Sequence, residues 1–202
     1  MIVQIVLAAG AGVRLGGPKG ALRLGGRSLV ARALDARETS RVERSIVVVG
    51  ADADRVAADA ARPGTTVVRN DAWALGQTSS LQAGLRALPP EAEAFLVHPV
   101  DYALVDATAL NAVADAFRDM PAAARATAIV RPRFGAGWGH PVLYARSYAA
   151  DFLALAPSAS AREVYRRRLD RVVPADVADD ACLTDLDTPE DLAAARRRVG
   201  ER

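Results

Sequence analysis

Near its N-terminus the chain reads Val6-Leu7-Ala8-Ala9-Gly10-Ala11-Gly12-Val13-Arg14-Leu15-Gly16-Gly17-Pro18-Lys19, a buried strand that continues into a glycine-rich loop. Glycine lets the backbone come close to a ligand, and successive N–H groups in such a loop form a concave anion site. Arg14 can bind two phosphate oxygens at once, and Lys19, the sole lysine of the chain, adds a compact positive charge. The loop therefore predicts a phosphate site, against the alternative of a surface loop with two solvated charges.

Two familiar glycine motifs fit this loop less well. The phosphate loop of NTPases requires Gly-Lys followed by Ser or Thr, whereas Lys19 lies between a proline and a glycine. Gly10-Ala11-Gly12 with Gly16 has a spacing one residue longer than the dinucleotide fingerprint. The two cations inside the loop favour a nucleoside triphosphate, and a dinucleotide-dependent oxidoreductase is a more distant alternative.

Length and composition indicate a single domain spanning residues 1–202. With 51% hydrophobic residues, 25% charged residues and a formal net charge of +2, the chain has an ordinary globular composition. Its arginine runs, 166–168 and 196–198, fall in helical patterns without interleaved aromatics, so we expect no nucleic-acid partner. A single cysteine, Cys182, favours the reducing cytoplasm. No apolar segment approaches the ~20 residues of a membrane span.

Strand and helix patterns alternate as far as Pro132. Buried strands are predicted at 2–7, 46–49, 66–68, 95–97 and 127–130, with helices at 28–39, 52–61, 79–88 and 106–117. This alternation indicates a three-layer, Rossmann-like α/β domain with a mainly parallel sheet. The glycine- and aromatic-rich segment 134–139 and a strand at 140–144 predict a small antiparallel insertion. Helices at 147–155 and 160–169, short edge strands at 171–173 and 181–183, and a last helix opening at 187–192 complete the prediction.

Acidic residues occur where ligands of an α/β sheet would bind. Asp101 follows the strand 95–97, and the carboxyl ends of parallel strands share one edge with the first loop. A carboxylate that faces a phosphate loop is well placed to hold Mg²⁺. The alternative for Asp101 is a cap or turn residue, a role that suits Asp106 better. Asp185 and Asp187, two apart in an extended segment, point the same way, and one of them could complete the metal site.

Hydroxyl and imidazole groups provide weaker signals. Residues 76–80 begin a helix that Thr78 or Ser79 is suited to cap. A helix N-terminus with spare hydroxyls also suits a ribose, base or phosphate, and both roles can hold together. His98 is expected to be a packing residue, whereas His140 either contacts a substrate or satisfies a turn. Neither histidine has metal-ligand spacing, and no Ser-His-Asp order stands out.

Taken together, these motifs resemble a known family. The run from Leu7 to Gly16 with Lys19 resembles the nucleotide-binding signature of the nucleotidyltransferases related to molybdenum cofactor synthesis, the MobA-like NTP transferases. Further segments that match the family are Gly76 to Leu81, Pro99-Val100-Asp101, Gly139-His140-Pro141-Val142, Ala161-Arg162 and residues 185–192. Because the matches span nearly the whole chain in the right order, the resemblance is far more specific than any single motif.

The resemblance implies a domain of the nucleotide-diphospho-sugar transferase type. Such a domain binds an NTP and Mg²⁺ and moves a nucleotidyl group to an acceptor phosphate, with release of pyrophosphate. Nucleotide contacts would come from Leu7, Ala8, Ala9, Gly10, Gly12, Arg14, Lys19, Gly76, Ser79 and Ser80. Asp101 and Asp187 would bind the metal, and Arg14, Lys19 and Asp101 would be catalytic. His140, Arg162 and Asp185 would lie on the acceptor side.

The resemblance also indicates which substrates to expect. Ala8-Ala9-Gly10 resembles the cytidylyltransferase branch, whereas the guanylyltransferase branch usually has two glycines there. It therefore implies CTP as the nucleotide, the molybdopterin cofactor as the acceptor, and a molybdoenzyme among the partners to test. Alternatives are the use of GTP, a sugar phosphate or a phospho-acid as acceptor, and a non-catalytic nucleotide-binding module.

Overall fold

The computed structural model describes residues 1–201 and consists of a mostly parallel sheet with helices on both faces. The strands are β1 (Ile2–Ala8), β2 (Arg23–Leu24), β3 (Arg27–Ser28), β4 (Arg44–Val49), β5 (Thr65–Arg69), β6 (Ala94–Pro99), β7 (Ile129–Phe134), β8 (Gly137–Trp138), β9 (Val142–Ala145) and β10 (Val172–Asp176). The α-helices are α1 (Leu29–Glu38), α2 (Ala53–Ala60), α3 (Gln77–Arg86), α4 (Ala107–Arg118), α5 (Ala122–Arg125), α6 (Ala149–Leu153), α7 (Arg162–Arg166) and α8 (Pro189–Arg198).

The main sheet has the strand order β10-β7-β9-β6-β1-β4-β5, and β8 pairs with β7 as a hairpin. β1 is central and pairs in parallel with both β4 and β6. β9 runs antiparallel to its two neighbours, β6 and β7, whereas β10 is parallel to β7. The structure therefore confirms the predicted mainly parallel α/β sheet with a small antiparallel insertion.

Alternation along the central strands produces the three layers. In β1, Ile5 and Leu7 pack into one core cluster, whereas Val6 and Ala8 pack into the other. β4 alternates in the same way, and its residues 45–49 are all buried. A strand buried on both faces has an almost continuous apolar sequence, and this pattern predicts the central strands.

Three of the eight α-helices in residues 1–201, α1, α4 and α8, begin with the expected side-chain capping. The Ser28 hydroxyl accepts the Ala31 N–H at 3.3 Å to start α1, and the Asp106 carboxylate accepts the Ala109 N–H at 3.0 Å to start α4. Thr188 and Asp191 form a reciprocal capping box before α8. The prediction that Asp106 is a cap is confirmed, and the α8 box also fixes the backbone beside Asp187.

Several predicted elements differ from the structure. The segment predicted as an edge strand at 181–183 is a 3₁₀ turn, Asp180–Leu183, because the Asp179 carboxylate accepts the Ala181 N–H at 2.9 Å and caps it. The helices predicted at 147–155 and 160–169 are shortened to α6 and α7. The β2–β3 hairpin has no predicted counterpart, since strands of two residues are too short to show periodicity. Within residues 1–201, no helix has the length and apolar character needed to cross a membrane.

Candidate active site

The glycine-rich loop, the start of α3 and Asp101 meet at one edge of the sheet. β1, β4, β5 and β6 are parallel, so their carboxyl ends lie on the same side. The glycine-rich loop follows β1, a 3₁₀ turn (Trp73–Leu75) leads from β5 into α3, and Asp101 follows β6. This edge is where open α/β sheets bind their ligands.

Gly12 shapes the loop. Its φ of +58° disfavours L side chains, and a Cβ there would lie 2.0 Å from the Gly17 carbonyl oxygen. The Gly12 carbonyl accepts the Leu15 N–H at 2.8 Å and the Gly17 N–H at 3.3 Å. The resulting compact turn leaves the Arg14 side chain 72% exposed, whereas the Lys19 side chain is only 20% exposed.

Lys19 joins the two aspartates that the sequence analysis assigns to a metal. Its Nζ donates to Asp101 Oδ2 at 2.8 Å and also to Asp187 Oδ1. Because two hydrogen bonds of ~3 Å meet at one nitrogen, these two carboxylate oxygens lie within about 6 Å of each other. Arg14 Nη1 lies 3.6 Å from Asp187 Oδ2. Two cations of the glycine-rich loop and two carboxylates that are distant in sequence thus form one charged cluster.

The charges of this cluster reinforce one another. Burial lowers the pKa of Lys19, but its hydrogen bonds to Asp101 and Asp187 and their charges outweigh that effect and raise the pKa above its usual value. The hydrogen bond from Lys19, followed by the charges of Lys19 and Arg14, holds the pKa of Asp187 below its usual value. Lys19 and Asp187 are therefore both charged at neutral pH.

The carboxylates have the chemistry of a divalent-cation site that phosphates could complete. Asp101 Oδ1 is buried, and no hydrogen-bond partner for it exists among residues 1–201. Those residues contain no group of three or more His, Cys, Asp or Glu side chains that could hold a metal by themselves. Mg²⁺ commonly uses one or two carboxylates together with substrate phosphates. Asp101 and Asp187 fit that pattern, and the unpartnered Asp101 oxygen is the observation that supports it.

A cavity of about 320 Å³ lies beside Lys19. Its lining comes from the glycine-rich loop, the segment before α3 and the end of β6: Leu7, Ala9, Gly10, Lys19, Trp73, Ala74, Gly76, Gln77, Ser80, Pro99, Val100 and Asp101. The Trp73 side chain forms part of the cavity wall. Gly50 leaves space for it, since a Cβ at Gly50 would lie 2.6 Å from the Trp73 Cβ. We refer to this space as the nucleotide cavity, after the ligand that the sequence analysis expects at the glycine-rich loop.

The hydroxyls at the start of α3 hold the loop and do not cap the helix. Gly76 is the N-cap residue and makes no side-chain bond. Ser79 Oγ donates to the Gly76 carbonyl at 2.8 Å and accepts from Asn70 Nδ2 at 2.9 Å, while Thr78 Oγ1 donates to the Ala159 carbonyl at 2.5 Å. The prediction of a Thr78 or Ser79 cap is therefore wrong. Ser80, by contrast, lines the nucleotide cavity.

A larger cavity of about 590 Å³ adjoins the first and shares Gln77, Pro99 and Asp101 with it. Its polar lining includes the acidic Asp101, Asp185 and Asp187, the basic Arg131, Arg162 and Arg166, and His140. Aromatic side chains that line it are Tyr102, Trp138, Tyr144, Phe152 and Tyr165. We refer to it as the acceptor cavity, because it contains His140, Arg162 and Asp185, which the sequence analysis expects on the acceptor side.

His140 and Tyr102 lie together in the acceptor cavity, with ring centroids 4.7 Å apart. Burial, assisted by the charge of Arg131, lowers the pKa of His140 to about 4, and the buried Nδ1 has no hydrogen-bond partner in residues 1–201. Burial, assisted by the charges of Asp185 and Asp101, raises the pKa of Tyr102 to about 12. Both groups are therefore neutral at physiological pH and can serve as hydrogen-bonding groups.

The structure separates the predicted site residues into two groups. Those at the cavities are Leu7, Ala9, Gly10, Lys19, Gly76, Ser80 and Asp101 in the nucleotide cavity, and Asp101, His140, Arg162, Asp185 and Asp187 in the acceptor cavity. Those outside both linings are Ala8, Gly12, Arg14 and Ser79. Ala8 is buried in the core. Gly12 and Ser79 instead stabilise the backbone conformation of the glycine-rich loop and of the start of α3.

Sequence reasoning does not identify Trp73, Tyr102, Arg131 or Tyr165 as site residues, although all four line a cavity. The sequence did contain a signal for Tyr102, because this residue is adjacent to the predicted metal ligand Asp101. Arg131 belongs to a strand in a chain whose basic residues are otherwise scattered, so no local pattern distinguishes it.

Comparison with protein families matches residues 4–172 to the family described as the MobA-like NTP transferase domain. The chain is 32% identical over 195 residues to 2-C-methyl-D-erythritol 4-phosphate cytidylyltransferase from Streptomyces coelicolor, covering 90% of this chain and 72% of that protein. It is 36% identical over 111 residues to nicotine blue oxidoreductase from Paenarthrobacter nicotinovorans, covering 54% of this chain and about half (52%) of that protein. It spans only 25–31% of the bifunctional GlmU and IspD/IspF proteins it also matches.

Solved structures show the same fold along nearly the entire chain. The homologue of Mycobacterium tuberculosis Rv0371c from Mycobacterium sp. strain JC1 superimposes with a TM-score of 0.79 and 26% identity, covering 98% of both chains. The match therefore extends over almost every residue of the chain. The architecture is thus that of a nucleotidyltransferase of the nucleotide-diphospho-sugar transferase type.

Proposed function

Because the chain belongs to the MobA-like NTP transferase domain family, we propose that it transfers a cytidylyl group from CTP to the phosphate of molybdopterin with Mg²⁺ as the metal. The observation that carries the proposal is the pair of adjoining cavities, which share Asp101. The smaller cavity lies against the glycine-rich loop and suits an NTP, and the larger one suits a phosphorylated acceptor. The choice of CTP and molybdopterin rests on the resemblance of the sequence motifs.

The reaction is an in-line displacement. An oxygen of the acceptor phosphate attacks the α-phosphorus of CTP, and the bond from that phosphorus to the bridging oxygen breaks, so pyrophosphate leaves with the electron pair. The attacking oxygen is already an anion and needs no general base. This agrees with a cavity whose His140 has its pKa lowered to about 4 by burial. The chain's task is to position the two phosphates and to neutralise growing charge.

Charged side chains at the shared edge would carry out that task. Asp101 and Asp187 would hold Mg²⁺, which when bound supplies positive charge against the α-phosphate. Lys19 is already hydrogen-bonded to both aspartates, and Arg14 lies 3.6 Å from Asp187. Phosphates that approach this pair would therefore meet both cations, with the loop N–H groups beside them.

Ala9 lines the nucleotide cavity, and the choice of CTP rests on the resemblance of Ala8-Ala9-Gly10 to the cytidylyltransferase branch. The same chemistry on a sugar phosphate or phospho-acid is the alternative, since the relative from Streptomyces coelicolor is named for a phosphorylated acceptor of another kind.

A second candidate function is reduction with a dinucleotide, which the similarity to nicotine blue oxidoreductase favours. The charged cluster counts against it. A loop with Arg14 and Lys19 beside two carboxylates suits a triphosphate and a divalent cation better than a pyrophosphate bridge.

The test is a screen of CTP, GTP, ATP and UTP with molybdopterin, a sugar phosphate and a phospho-acid, with release of pyrophosphate as the readout. We expect CTP to exceed GTP by about tenfold or more in kcat/KM, or ~1.4 kcal/mol, with molybdopterin as acceptor. Asp101→Asn should reduce the signal strongly, and parallel assays with NADH and NADPH test the second candidate. Preference for GTP, or pyrophosphate release only with another acceptor, would contradict the assignment of substrates. Oxidation of NADPH without pyrophosphate release would contradict the proposed transfer and favour dinucleotide-dependent reduction.

A further inference from the structure

Arg131 is a cation of the acceptor cavity that the reaction chemistry above does not use. It lies on β7, is half-buried, and lines the cavity. Its Nε donates to the Gly139 carbonyl and its Nη2 donates to the Trp138 carbonyl, both at 3.0 Å. The Cζ atom lies over the Tyr165 ring, 5.2 Å from the ring centroid. These contacts fix the guanidinium plane.

The charge of Arg131 is not neutralised by the chain. Within residues 1–201, no Asp or Glu oxygen lies within 4.0 Å of its guanidinium, and its Nη1 makes no hydrogen bond. Lys19 differs, because two carboxylates bind it. Arg133, two residues along the same strand, also differs, because its Nε lies 2.7 Å from Asp176. A partly desolvated cation held by carbonyls and an aromatic face has donors left for an anion.

The surroundings of Arg131 indicate what kind of anion it would bind. Aromatic side chains of Tyr102, Trp138 and Tyr165 line the same cavity. The acidic residues of the cavity, Asp101, Asp185 and Asp187, would repel any further negative group of the ligand that is not itself bound by a cation. A molecule with a phosphate and a flat ring would thus satisfy both the guanidinium and the aromatic surface.

We propose that Arg131 binds the phosphate monoester of the acceptor and so selects acceptors that carry this group on an aromatic or similarly planar framework. The inference rests on the proposed function in one respect, namely that the larger cavity receives the acceptor. Arg131 thereby becomes a specificity-determining residue, distinct from the Lys19 and Arg14 cations near the glycine-rich loop.

The two tryptophans of the chain provide the experiment, because Trp138 lines the acceptor cavity and Trp73 the nucleotide cavity. In a Trp73→Phe background the fluorescence of Trp138 reports on the acceptor cavity. Phenyl phosphate, titrated without nucleotide, is the probe. Phenol and benzoate serve as its uncharged and carboxylate counterparts.

We expect Arg131→Met to weaken binding of phenyl phosphate at least tenfold. Arg131→Lys should weaken it less, because lysine keeps the positive charge but lacks the paired N–H donors of the guanidinium. Arg69→Met is the control and should leave binding unchanged, because Arg69 also lies on a strand, β5, but lines neither cavity. Phenyl phosphate should bind the parent protein at least tenfold more tightly than phenol and more tightly than benzoate. That comparison requires no substitution at Arg131, so it tests whether the cavity selects a phosphate even where Arg131→Met does not fold.

Several results would overturn the inference: equal affinity of the parent protein for phenyl phosphate and phenol, unchanged affinity in a folded Arg131→Met protein, or an equal loss in Arg69→Met. A separate titration with Mg²⁺ and CTP, followed through Trp73 in a Trp138→Phe background, distinguishes this inference from the proposed function. Failure of CTP to bind while phenyl phosphate binding depends on Arg131 refutes the CTP function alone. Turnover that is normal in Arg131→Met, with unchanged acceptor KM, refutes the role of Arg131 alone.

Discussion

At the scale of single residues, the charged cluster of Lys19, Asp101 and Asp187 is the feature on which activity is expected to depend. The sequence analysis predicts that Lys19 binds a phosphate and that the two aspartates together bind a metal ion. The structure places the ammonium between the two carboxylates. Two negative groups that would otherwise repel each other are therefore already balanced by a cation.

Lys19→Ala is expected to lower turnover by on the order of 10²-fold or more, because a charge that stabilises the transition state is lost. It also leaves Asp101 and Asp187 without their shared cation, so binding of Mn²⁺ without nucleotide should become tighter. Pyrophosphate release and a metal titration monitor the two effects. Lys19→Arg, which keeps the charge, is the control. Near-normal turnover in a folded Lys19→Ala protein would show that the loop lysine has no catalytic role.

Asp101→Asn and Asp187→Asn should each reduce turnover strongly, and the double variant should be scarcely worse than the more damaging single one. Residues that act as one unit give non-additive losses. Kinetics of the four proteins, measured at saturating nucleotide, test this. Losses that multiply would indicate two independent sites. Since Lys19 pairs with both carboxylates, each substitution removes an attraction as well as a repulsion, and stability is a poor readout for this pair.

At the scale of elements, the start of α8 shows how a local signal serves the site. Thr188 Oγ1 accepts the Asp191 N–H at 3.2 Å, and the Asp191 carboxylate accepts the N–H groups of Thr188 at 2.8 Å and Asp187 at 3.2 Å. Sequence alone recognises this box as a helix start. Only the structure shows that the same box fixes the backbone of a proposed metal ligand.

Thr188→Ala should destabilise the protein by about 1 kcal/mol, the usual cost of removing an N-cap hydroxyl. It should also lower turnover, because the backbone at Asp187 loses part of its support. Urea unfolding and pyrophosphate release measure the two effects. Thr39→Ala, which removes an exposed hydroxyl at the end of α1, is the control and should change stability by less than ~0.5 kcal/mol. An equal effect of both substitutions would argue against the capping role.

At the scale of the whole molecule, a buried hydrogen-bond chain crosses three strands of the sheet. Arg37 Nε donates to Ser45 Oγ at 3.2 Å, and the Ser45 hydroxyl donates to Gln4 Oε1 at 2.8 Å. Gln4 Nε2 lies 2.8 Å from His98 Nδ1, and His98 Nε2 lies 3.2 Å from the Tyr102 carbonyl. Because the Gln4 amide donates to Nδ1, His98 is neutral with its proton on Nε2.

This chain predicts a pH dependence of stability. Burial lowers the pKa of His98 from 6.5 to about 4. Between these values the unfolded chain binds more protons than the folded one, so stability falls as the pH falls through this range. The loss from His98 between pH 7 and pH 5 should be about 2 kcal/mol. Urea unfolding at several pH values measures it.

His98→Gln provides the comparison for that prediction. The variant should be less stable at pH 7, because the chain of hydrogen bonds is interrupted, but its stability should depend less on pH. His140, whose pKa burial also lowers to about 4, contributes in the same pH range and is unchanged in this variant. A slope in His98→Gln equal to that of the parent protein would show that His98 does not titrate on unfolding.

The sequence by itself determined the layered α/β fold, because apolar runs in strands such as β1 and β4 and capping residues such as Ser28 and Thr188 act over short distances. It also located the glycine-rich loop and Asp101, since both lie where a strand ends. The tertiary structure alone brought Lys19 to Asp101 and Asp187, across separations of 82 and 168 residues, and placed Arg131 in the acceptor cavity. Such contacts depend on how distant strands and loops pack, and packing leaves no periodic signal in the chain.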